Sequence, residues 1–321
     1  MSVDFLGIGS PLIDMLAREE ELIEKFGLTL GGMLMVEEDI SKQITGAMKN
    51  PEMACGGSAA NTIFGLANLG VSTGFLGVIG KDDPGKFFSS SLNKSGIKSH
   101  LIEHEELPTG CVASVVSDNS ERTMATCLGA ASSFSPDMIS EEMFKGVKFT
   151  HVEGYLIFNE PLIRKIMACA KNSGSKVSFD MASFNIVEDF KPLFKDLVMN
   201  YVDIAFANEE EAKSYTGKDP DEALDDIAKE TEIAVVKTGK TGSLAKRGDE
   251  KASFGIFKAA ALDTTAAGDL YAAGFLYGLG KGMTLENCCR AGALTSSKVV
   301  EVMGSVMNES VWEEIRKQIS P

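Results

Sequence analysis

The sequence predicts an α/β protein with a doubly wound, mostly parallel sheet that is flanked by helices and carries a small β-sheet lid. Apolar runs of strand length alternate with segments of helix length along most of the 321 residues, which is typical of parallel βαβ units. Glycine, serine and proline stand at the joints between these segments, where helices start and stop. Between His100 and Ala131 the rhythm changes to two strand-like runs with no long helix between them, which indicates a piece outside the main sheet.

The first strand is predicted at residues 3–8 and a later one at 71–80. The helix between them follows the flexible joint Gly56-Gly57, with Ser58 as its N-cap and Gly70 as its stop. Further strands are predicted at 33–36, 148–157, 176–180, 202–207 and 233–238, with 243–247 and 252–259 as an antiparallel pair. Further helices are predicted at 18–26, 37–50, 161–172, 209–215, 220–230, 269–280, 284–302 and 309–318, and another begins at Pro84.

Residues 12–36 and 100–131 are predicted to form the lid, the latter as two strands about a turn at 117–120. No internal repeat or low-complexity linker interrupts the chain. Residues 1–321 are therefore predicted to form one domain.

Composition excludes several classes of protein. The net charge of −15 is spread along the chain, which disfavours nucleic acids and anionic membrane surfaces as partners. The N-terminus lacks the pattern of a signal peptide, and Asp263 and Asp269 interrupt the most apolar stretch. The six cysteines form no C-x-x-C pair, and the three histidines lie near no cysteine or serine motif. These features favour reduced thiols in a cytoplasmic protein over a disulfide framework, a structural zinc site or a histidine-based triad.

Two glycine motifs resemble nucleotide-binding signatures without meeting their requirements. Gly7-x-Gly9 follows the first strand, but the third glycine is missing and Pro11 removes a backbone donor, so a Rossmann dehydrogenase is disfavoured. Gly239-Lys240-Thr241 mimics the end of a P-loop, but the required first glycine is Ala234, within a strand. What remains is a glycine-punctuated turn at 238–242, which lets backbone approach a nucleotide or merely closes a tight hairpin.

The stretch Asp263–Gly280, D-T-T-A-A-G-D-L-Y-A-A-G-F-L-Y-G-L-G, combines small residues with an acid at the start of an apolar helix. The free N–H groups of a helix N-terminus and its macrodipole favour an anion. An acid there would repel a phosphate unless it accepted a proton, so Asp269 is a candidate base for phosphoryl transfer to a hydroxyl. The alternative is an acidic cap on a buried helix.

Polar residues follow other predicted strands. Asn208 and Glu211 share the first helical turn after the strand 202–207 and could hold the hydration shell of Mg²⁺, or merely cap that helix. Asp14 lies beyond the first strand, and Asn61 lies one turn into the helix after Gly57. Both side chains suit paired hydroxyls of a sugar ring, although each alone is more often a turn or cap residue.

Four motifs in this order resemble the ribokinase-like (PfkB) carbohydrate kinase family over nearly the whole chain. They are G-G-S-A-A-N at 56–61, Asn208-x-x-Glu211, T-G-K-T-G at 238–242 and D-T-T-A-A-G-D-L-Y-A-A-G-F-L at 263–276. The opening G-I-G-S-P-L-I-D-M-L-A and the pair Glu121-Arg122 resemble the adenosine kinase branch, although Ser10 stands where asparagine is usual.

The resemblance implies ATP and Mg²⁺ as cofactors and a role for each matched residue. Asp269 would be the catalytic base, and the N–H groups of Ala266, Ala267 and Gly268 would form an anion hole. Asn208 and Glu211 would arrange Mg²⁺ through water, with Thr238, Gly239 and Gly242 along ATP. The sugar would be held by Asp14, Gly56, Gly57 and Asn61 under a closing lid. Phe134, Tyr155 and Phe158 would clamp a purine if the fold brings them in.

Ala266 departs from the family, which most often has glycine there, so a looser or differently angled anion hole is expected, with activity retained. The predicted function is phosphorylation of a primary hydroxyl on a sugar or nucleoside, with adenosine slightly favoured. A sugar kinase of the ribokinase or fructokinase type is the enzymatic alternative. A catalytically weak sensor that binds nucleotide or sugar is a further alternative, favoured only by Ala266. Either a monomer or a homodimer is compatible with the family.

Overall fold

A computed structural model describes residues 3–30, 32–117 and 122–319. Its nine-stranded main sheet has the order β14-β13-β12-β11-β10-β9-β1-β5-β6. The strands are β1 (Phe5–Ile8), β5 (Thr73–Gly80), β6 (Lys98–His104), β9 (Phe149–Glu153), β10 (Lys176–Asp180), β11 (Ile204–Asn208), β12 (Ile233–Lys237), β13 (Ser243–Arg247) and β14 (Glu250–Phe254). All neighbours from β6 to β12 pair parallel, and only β13 and β14 are antiparallel, so the predicted doubly wound sheet is confirmed.

Helices cover both faces of this sheet and bury two large apolar clusters against it. They are α1 (Glu21–Lys25), α2 (Glu38–Ala47), α3 (Ser58–Asn68), α4 (Asp83–Lys94), α5 (Glu160–Asn172), α6 (Phe184–Asp189), α7 (Lys191–Tyr201), α8 (Glu209–Thr216), α9 (Pro220–Glu230), α10 (Ala267–Gly280), α11 (Leu285–Val299) and α12 (Glu309–Ile319), of which α1 and α2 belong to the smaller sheet. Helix α10 is apolar all round because it lies between α3 and α11. Its N-terminus is thereby fixed beside that of α3.

A second, five-stranded sheet has the order β3-β8-β7-β2-β4. Its strands are β2 (Leu12–Ala17), β3 (Met33–Met35), β4 (Glu52–Gly56), β7 (Thr109–Val116) and β8 (Arg122–Gly129). Helix α2 and apolar residues of β7 and β8 form its own small core. The predicted accessory sheet is therefore present.

Several predicted boundaries are wrong. Residues 100–104 belong to β6, which pairs with β5 in the main sheet. The second predicted lid segment therefore enters the smaller sheet only at Thr109, where β7 begins. The stretch before Gly57 is strand β4, paired with β2, and not a flexible joint. The predicted strand 148–157 ends at Glu153 and continues as a 3₁₀ turn. Residues 118–121, which carry most of the predicted turn and Glu121, lie outside the described residues.

The sheet order places a topological switch point between β1 and β9. From β1 the chain proceeds outward through β5 and β6, and then returns to build the other half from β9 onward. The loops that leave the carboxyl ends of β1 and β9 therefore diverge and open a crevice there. Ligands of doubly wound sheets bind in such crevices.

Candidate active site

Five adjacent parallel strands end at this crevice, and each ends in or is followed by a polar residue. In sheet order these residues are Lys237, Asn208, Asp180 and Glu153 at the ends of β12, β11, β10 and β9, and Ser10 after β1. All five line one cleft of about 1660 Å³ between the main sheet, the smaller sheet and α10. These five residues form a polar floor of the cleft, although more than 200 residues separate the first of them from the last in the sequence.

Asp269 lines the cleft from the first turn of α10. Its carboxylate accepts hydrogen bonds from the Ser58 hydroxyl at 2.7 Å and from Asn61 Nδ2 at 2.9 Å. Both donors lie on the first turn of α3. Burial raises the pKa of Asp269 to about 6, although these two hydrogen bonds oppose the shift. A carboxylate with this pKa is ionised at neutral pH and can accept a proton.

The loop before α10 is held by Asp263. One carboxylate oxygen accepts from the N–H and the hydroxyl of Thr265, and the other accepts from the N–H of Gly304 at 2.8 Å. Ala266 follows in the left-handed conformation, with φ of 59°. The turn that Asp263 holds by these hydrogen bonds sets the direction in which the first N–H groups of α10 point.

Of the three predicted anion-hole donors, the structure leaves two available. The N–H of Ala267 donates to the Thr264 carbonyl at 3.2 Å. Within the described part of the chain, no acceptor is bonded to the N–H groups of Ala266 and Gly268. Both residues line the cleft next to Asp269, so an anion can meet these two donors and the helix dipole together.

Ala266→Gly should raise the free energy of unfolding by up to about 1 kcal/mol. A left-handed alanine costs about 1–2 kcal/mol, and the greater freedom of glycine in the unfolded chain offsets part of that gain. Ala267→Gly, one residue later in right-handed helix, should instead lower stability by about 0.5–1 kcal/mol. Chemical denaturation of both variants tests this, and equal losses would show that Ala266 is not strained.

Asn208 and Glu211 form a capping box at the start of α8. Asn208 Oδ1 accepts from the Glu211 N–H at 2.8 Å, and the Glu211 carboxylate accepts from both the N–H and Nδ2 of Asn208. Burial and repulsion from Asp180 raise the pKa of Glu211 to about 7. Asn208 and Glu211 therefore do cap this helix, as the alternative interpretation of the sequence predicted.

A hydrated Mg²⁺ still fits this corner of the cleft. Two buried carboxylates, Asp180 and Glu211, repel each other there, and a cation would relieve that repulsion. The described residues include no cluster of three or more His, Cys, Asp or Glu side chains that could hold a metal ion.

The glycine turn after β12 is both a hairpin and part of the cleft. The Thr238 N–H donates to the Gly242 carbonyl at 2.8 Å, which closes the β12–β13 hairpin. Gly239 and Gly242 line the cleft with positive φ, whereas Thr238 is not among the lining residues. A nucleotide at this end would therefore meet the glycines and not Thr238.

The predicted sugar-binding residues gather at the opposite end of the cleft. Asp14, Gly57 and Asn61 line it, and Gly56 lies behind them, where a Cβ would stand 2.7 Å from Asp14 Oδ1. Gly57 has φ of 97° and is the N-cap of α3, so Ser58 is the first helical residue and not the predicted cap. The Ser58 hydroxyl is thereby free to reach Asp269 and not the α3 backbone.

Glu153 joins two backbone segments at the end of the cleft that carries the predicted sugar-binding residues. Its buried carboxylate accepts from the Ser10 N–H at 2.7 Å and from the Ala59 N–H at 3.1 Å. Burial raises its pKa to about 7 despite these bonds. A Cβ at Gly9 would stand 2.1 Å from Glu153 Oε2, so the glycine that mimicked a dinucleotide fingerprint makes room for this carboxylate.

Four residues of the site were not predicted from the sequence: Ser58, Glu153, Asp180 and Lys237. The signal was available for three of them, since each is a charged residue that ends a buried strand of the parallel sheet. Charged side chains at such positions line the ligand crevice by topology. The contact of Ser58 with Asp269 spans 211 residues and leaves no local pattern.

The acceptor-side kcat/KM should fall tenfold per pH unit below about pH 6. Asp269 must be ionised to accept a proton, and its pKa is about 6, so activity is lost as pH falls through that value. Ser58→Ala removes a donor that lowers this pKa, so the acidic limb should move to higher pH. Rate profiles from pH 5 to 8 measure both effects, with exposed Ser90→Ala as control. If the acidic limb of the pH profile did not move in Ser58→Ala, Asp269 would not be the group that titrates there.

A buried carboxylate at a helix N-terminus, two adjoining N–H donors and a glycine turn lie together at the switch point of a doubly wound sheet, which is the arrangement expected of a small-molecule kinase. The family model described as pfkB family carbohydrate kinase matches residues 20–311. The chain belongs to this family, whose members use ATP, and phosphorylates a sugar or nucleoside hydroxyl. Membership removes the dehydrogenase alternative.

The relatives include both nucleoside and sugar kinases. Adenosine kinase 2 of Arabidopsis thaliana is 24% identical over 95% of each chain. The 5-dehydro-2-deoxygluconokinase of Shouchella clausii is 29% identical over 81% of this chain and 85% of its own. The crystal structure of adenosine kinase from Sinorhizobium meliloti superposes with a TM-score of 0.91 and 30% identity, covering 98% of this chain and 99% of that one. No helix within the described ranges is long and apolar enough to span a membrane.

Proposed function

We propose that this protein transfers the γ-phosphoryl group of Mg²⁺-bound ATP to a primary hydroxyl of a nucleoside, with adenosine as the favoured acceptor. The observation that carries the transfer is the Asp269 carboxylate, held by Ser58 and Asn61 beside the open N–H groups of Ala266 and Gly268. A base and an anion site this close suit a hydroxyl attacking a phosphoryl group.

In the proposed reaction the acceptor hydroxyl lies against Asp269, which takes its proton as the oxygen attacks the γ-phosphorus. The N–H groups of Ala266 and Gly268 stabilise the negative charge on the transferring group. Asn208 and Glu211 would hold the hydrated Mg²⁺, which neutralises phosphate charge when bound. Gly239 and Gly242 would lie along the nucleotide.

The nucleoside is favoured by the apolar wall that the smaller sheet turns toward the cleft. Alternate residues of four strands line it, as expected for one face of a sheet: Leu12 and Asp14, Met33 and Met35, Val112, and Met124, Thr126 and Leu128. Only Asp14 and Thr126 are polar. Methionine and leucine suit the flat face of a base, and thioethers contact aromatic rings favourably.

Three aromatic residues outside the smaller sheet complete this wall. Phe134, Tyr155 and Phe158, the aromatic candidates from the sequence, all line the cleft. Lys237 and Lys240 are the only cations among the described lining residues, and both follow or end β12 at the nucleotide end. A sugar acid would therefore meet apolar side chains and the carboxylates of Asp14 and Glu153, so an uncharged acceptor is favoured.

Met35→Ala should raise the KM for adenosine about five- to tenfold with little change in kcat. The variant loses three side-chain heavy atoms, but Met35 is 47% exposed, so the acceptor covers only part of this side chain. Covering the equivalent of one to two methylenes, each worth about 0.8 kcal/mol, corresponds to that change in KM. Leu34→Ala is the matched control, because Leu34 directly precedes Met35 in the same edge strand, is similarly exposed and does not line the cleft. If both substitutions changed the KM equally, the apolar wall would have no role in acceptor binding.

A panel assay of Mg²⁺-dependent ADP formation tests the proposed function directly. Adenosine, other nucleosides, ribose, fructose, their phosphates and a six-carbon sugar acid serve as acceptors. The highest kcat/KM is expected with adenosine, and a higher value with a free sugar would assign the protein to the sugar kinases. Tight ligand binding without turnover of any acceptor would support the sensor instead.

A further inference from the structure

Among the described residues that line the cleft, Lys237 is the most buried cation, and it lies at the nucleotide end. Its side chain is 14% exposed, whereas Lys240, the other lysine among the described lining residues, belongs to the exposed turn. Lys237 ends β12 and shares the polar floor with Asn208 and Asp180 on the neighbouring strands. No role assigned so far uses this ammonium group.

The Lys237 ammonium faces the start of α10. A Cβ built on Gly268 would lie 3.1 Å from Lys237 Nζ and meets no other heavy atom within 4 Å. Gly268 is one of the two residues whose N–H groups are open to the cleft. The ammonium therefore lies beside the first turn of α10, and a side chain on Gly268 would contact it.

Two positive groups lie side by side here, the Lys237 ammonium and the N-terminus of α10, and together they suit an anion. The N-terminus of a helix carries about half a positive charge, so it repels an ammonium group placed against it. Asp180 compensates in part, since its Oδ2 accepts from Lys237 Nζ at 2.9 Å. Burial alone lowers the pKa of Lys237, but attraction to Asp180 and Glu211 raises it above its ordinary value, which keeps the group charged.

Asp180 is itself fixed in place by the backbone. Its Oδ1 accepts from the Ala182 N–H at 3.0 Å, in a turn where Ala182 adopts φ of 65°. A carboxylate held on one oxygen by the backbone and on the other by Lys237 directs the lysine with little freedom. An ammonium has three N–H donors, so two remain after the bond to Asp180.

We propose that Lys237 contacts the transferring phosphoryl group as a catalytic residue, and that Asp180 is the positioning residue that holds it there. This inference rests on the proposed phosphoryl transfer. The acceptor oxygen forms a bond to the γ-phosphorus while the bond to the β,γ-bridging oxygen breaks, and that electron pair leaves with ADP. The hydroxyl proton goes to Asp269, so Lys237 gives up no proton and supplies only charge and hydrogen bonds.

The test separates this role from that of a structural ion pair. Lys237→Met should lower kcat about 100- to 1000-fold, as expected for loss of an electrostatic stabiliser of the transition state, with the KM of the acceptor changed less than threefold. It also leaves Asp180 buried without its partner and is expected to lose stability. The double variant Asp180→Asn/Lys237→Met removes both charges, so its melting temperature should recover while kcat stays low.

Asp180→Asn alone keeps the cation and should retain at least ten times the kcat of Lys237→Met. Lys171→Met is the matched control for a broken ion pair, because Lys171 binds Asp203 at the other end of the sheet. It should lose stability and keep wild-type kcat. Recovery of kcat in the double variant to within about threefold of the wild type would overturn the proposal. Wild-type turnover is measured in the same assay, so a wild type inert with every acceptor would refute the proposed function and not this assignment alone.

Discussion

Asp269→Asn should lower kcat by about three orders of magnitude while the protein keeps its fold and still binds its acceptor. General-base catalysis contributes about 10²–10⁴-fold, and an amide cannot accept the hydroxyl proton. The substitution conserves shape. The new amide oxygen can accept from Asn61 Nδ2, and the Ser58 hydroxyl can turn to accept from the new NH₂ group, since both contact the carboxylate at 2.7–2.9 Å.

Steady-state ADP formation measures kcat, and calorimetric titration of the acceptor measures binding. Glu210→Gln is the matched control, because Glu210 is another carboxylate that lines the cleft but is exposed and has no assigned role. The control should stay within twofold of the wild type. If Asp269→Asn keeps its kcat within about tenfold, the proton goes elsewhere and the assigned base is wrong.

Gly57→Ala should lower the free energy of unfolding by roughly 3 kcal/mol or more and disable the acceptor end of the cleft. Gly57 has φ of 97°, a conformation that side chains rarely adopt, and a Cβ there would stand 2.2 Å from the Ser10 carbonyl oxygen. Strain and overpacking cost about 1–3 kcal/mol each. Since α3 starts at the next residue, any relief displaces Ser58 and Asn61 from Asp269, so kcat should also fall.

Gly70→Ala separates strain from contact in this second prediction. Gly70 follows the other end of the same helix with φ of 84°, and a Cβ there would meet nothing within 4 Å. It should therefore cost only the left-handed strain, about 1–2 kcal/mol, with wild-type turnover. Denaturation curves of the two variants decide the matter, and equal losses would mean that the Ser10 contact relaxes freely.

Much of this molecule was predictable because its signals are local. Strand and helix alternation depends on residues a few positions apart, and the sheet with its accessory partner followed from it. The capping box of Asn208 and Glu211 lies within one helical turn, and Asp269 at a helix start was visible from its own neighbours. The errors lay at the margins of elements, where residues 52–56 joined the smaller sheet and 100–104 joined the main one.

Ala266 shows the limit of a local signal even where the position is right. The sequence raised the prospect of a looser anion hole, because alanine stands where glycine is usual. In the structure Ala266 adopts the left-handed conformation, and the N–H that is lost to the cleft belongs to Ala267, which bonds to Thr264. That outcome depends on the buttress between Asp263 and Gly304, 41 residues apart.

The sequence by itself determined most of the strands and helices and the chemical types of the residues at their ends. Only the tertiary structure decided which of those ends meet. Ser58 reaches Asp269 across 211 residues, Glu153 reaches Ser10 across 143, and Lys237 reaches Asp180 across 57. These contacts depend on strand order and register, since a shift of one residue turns every side chain of a strand to the other face. The Asp269 carboxylate, its donors Ser58 and Asn61 and the Lys237 ammonium line one cleft because β1 and β9 are neighbours and α10 packs against α3.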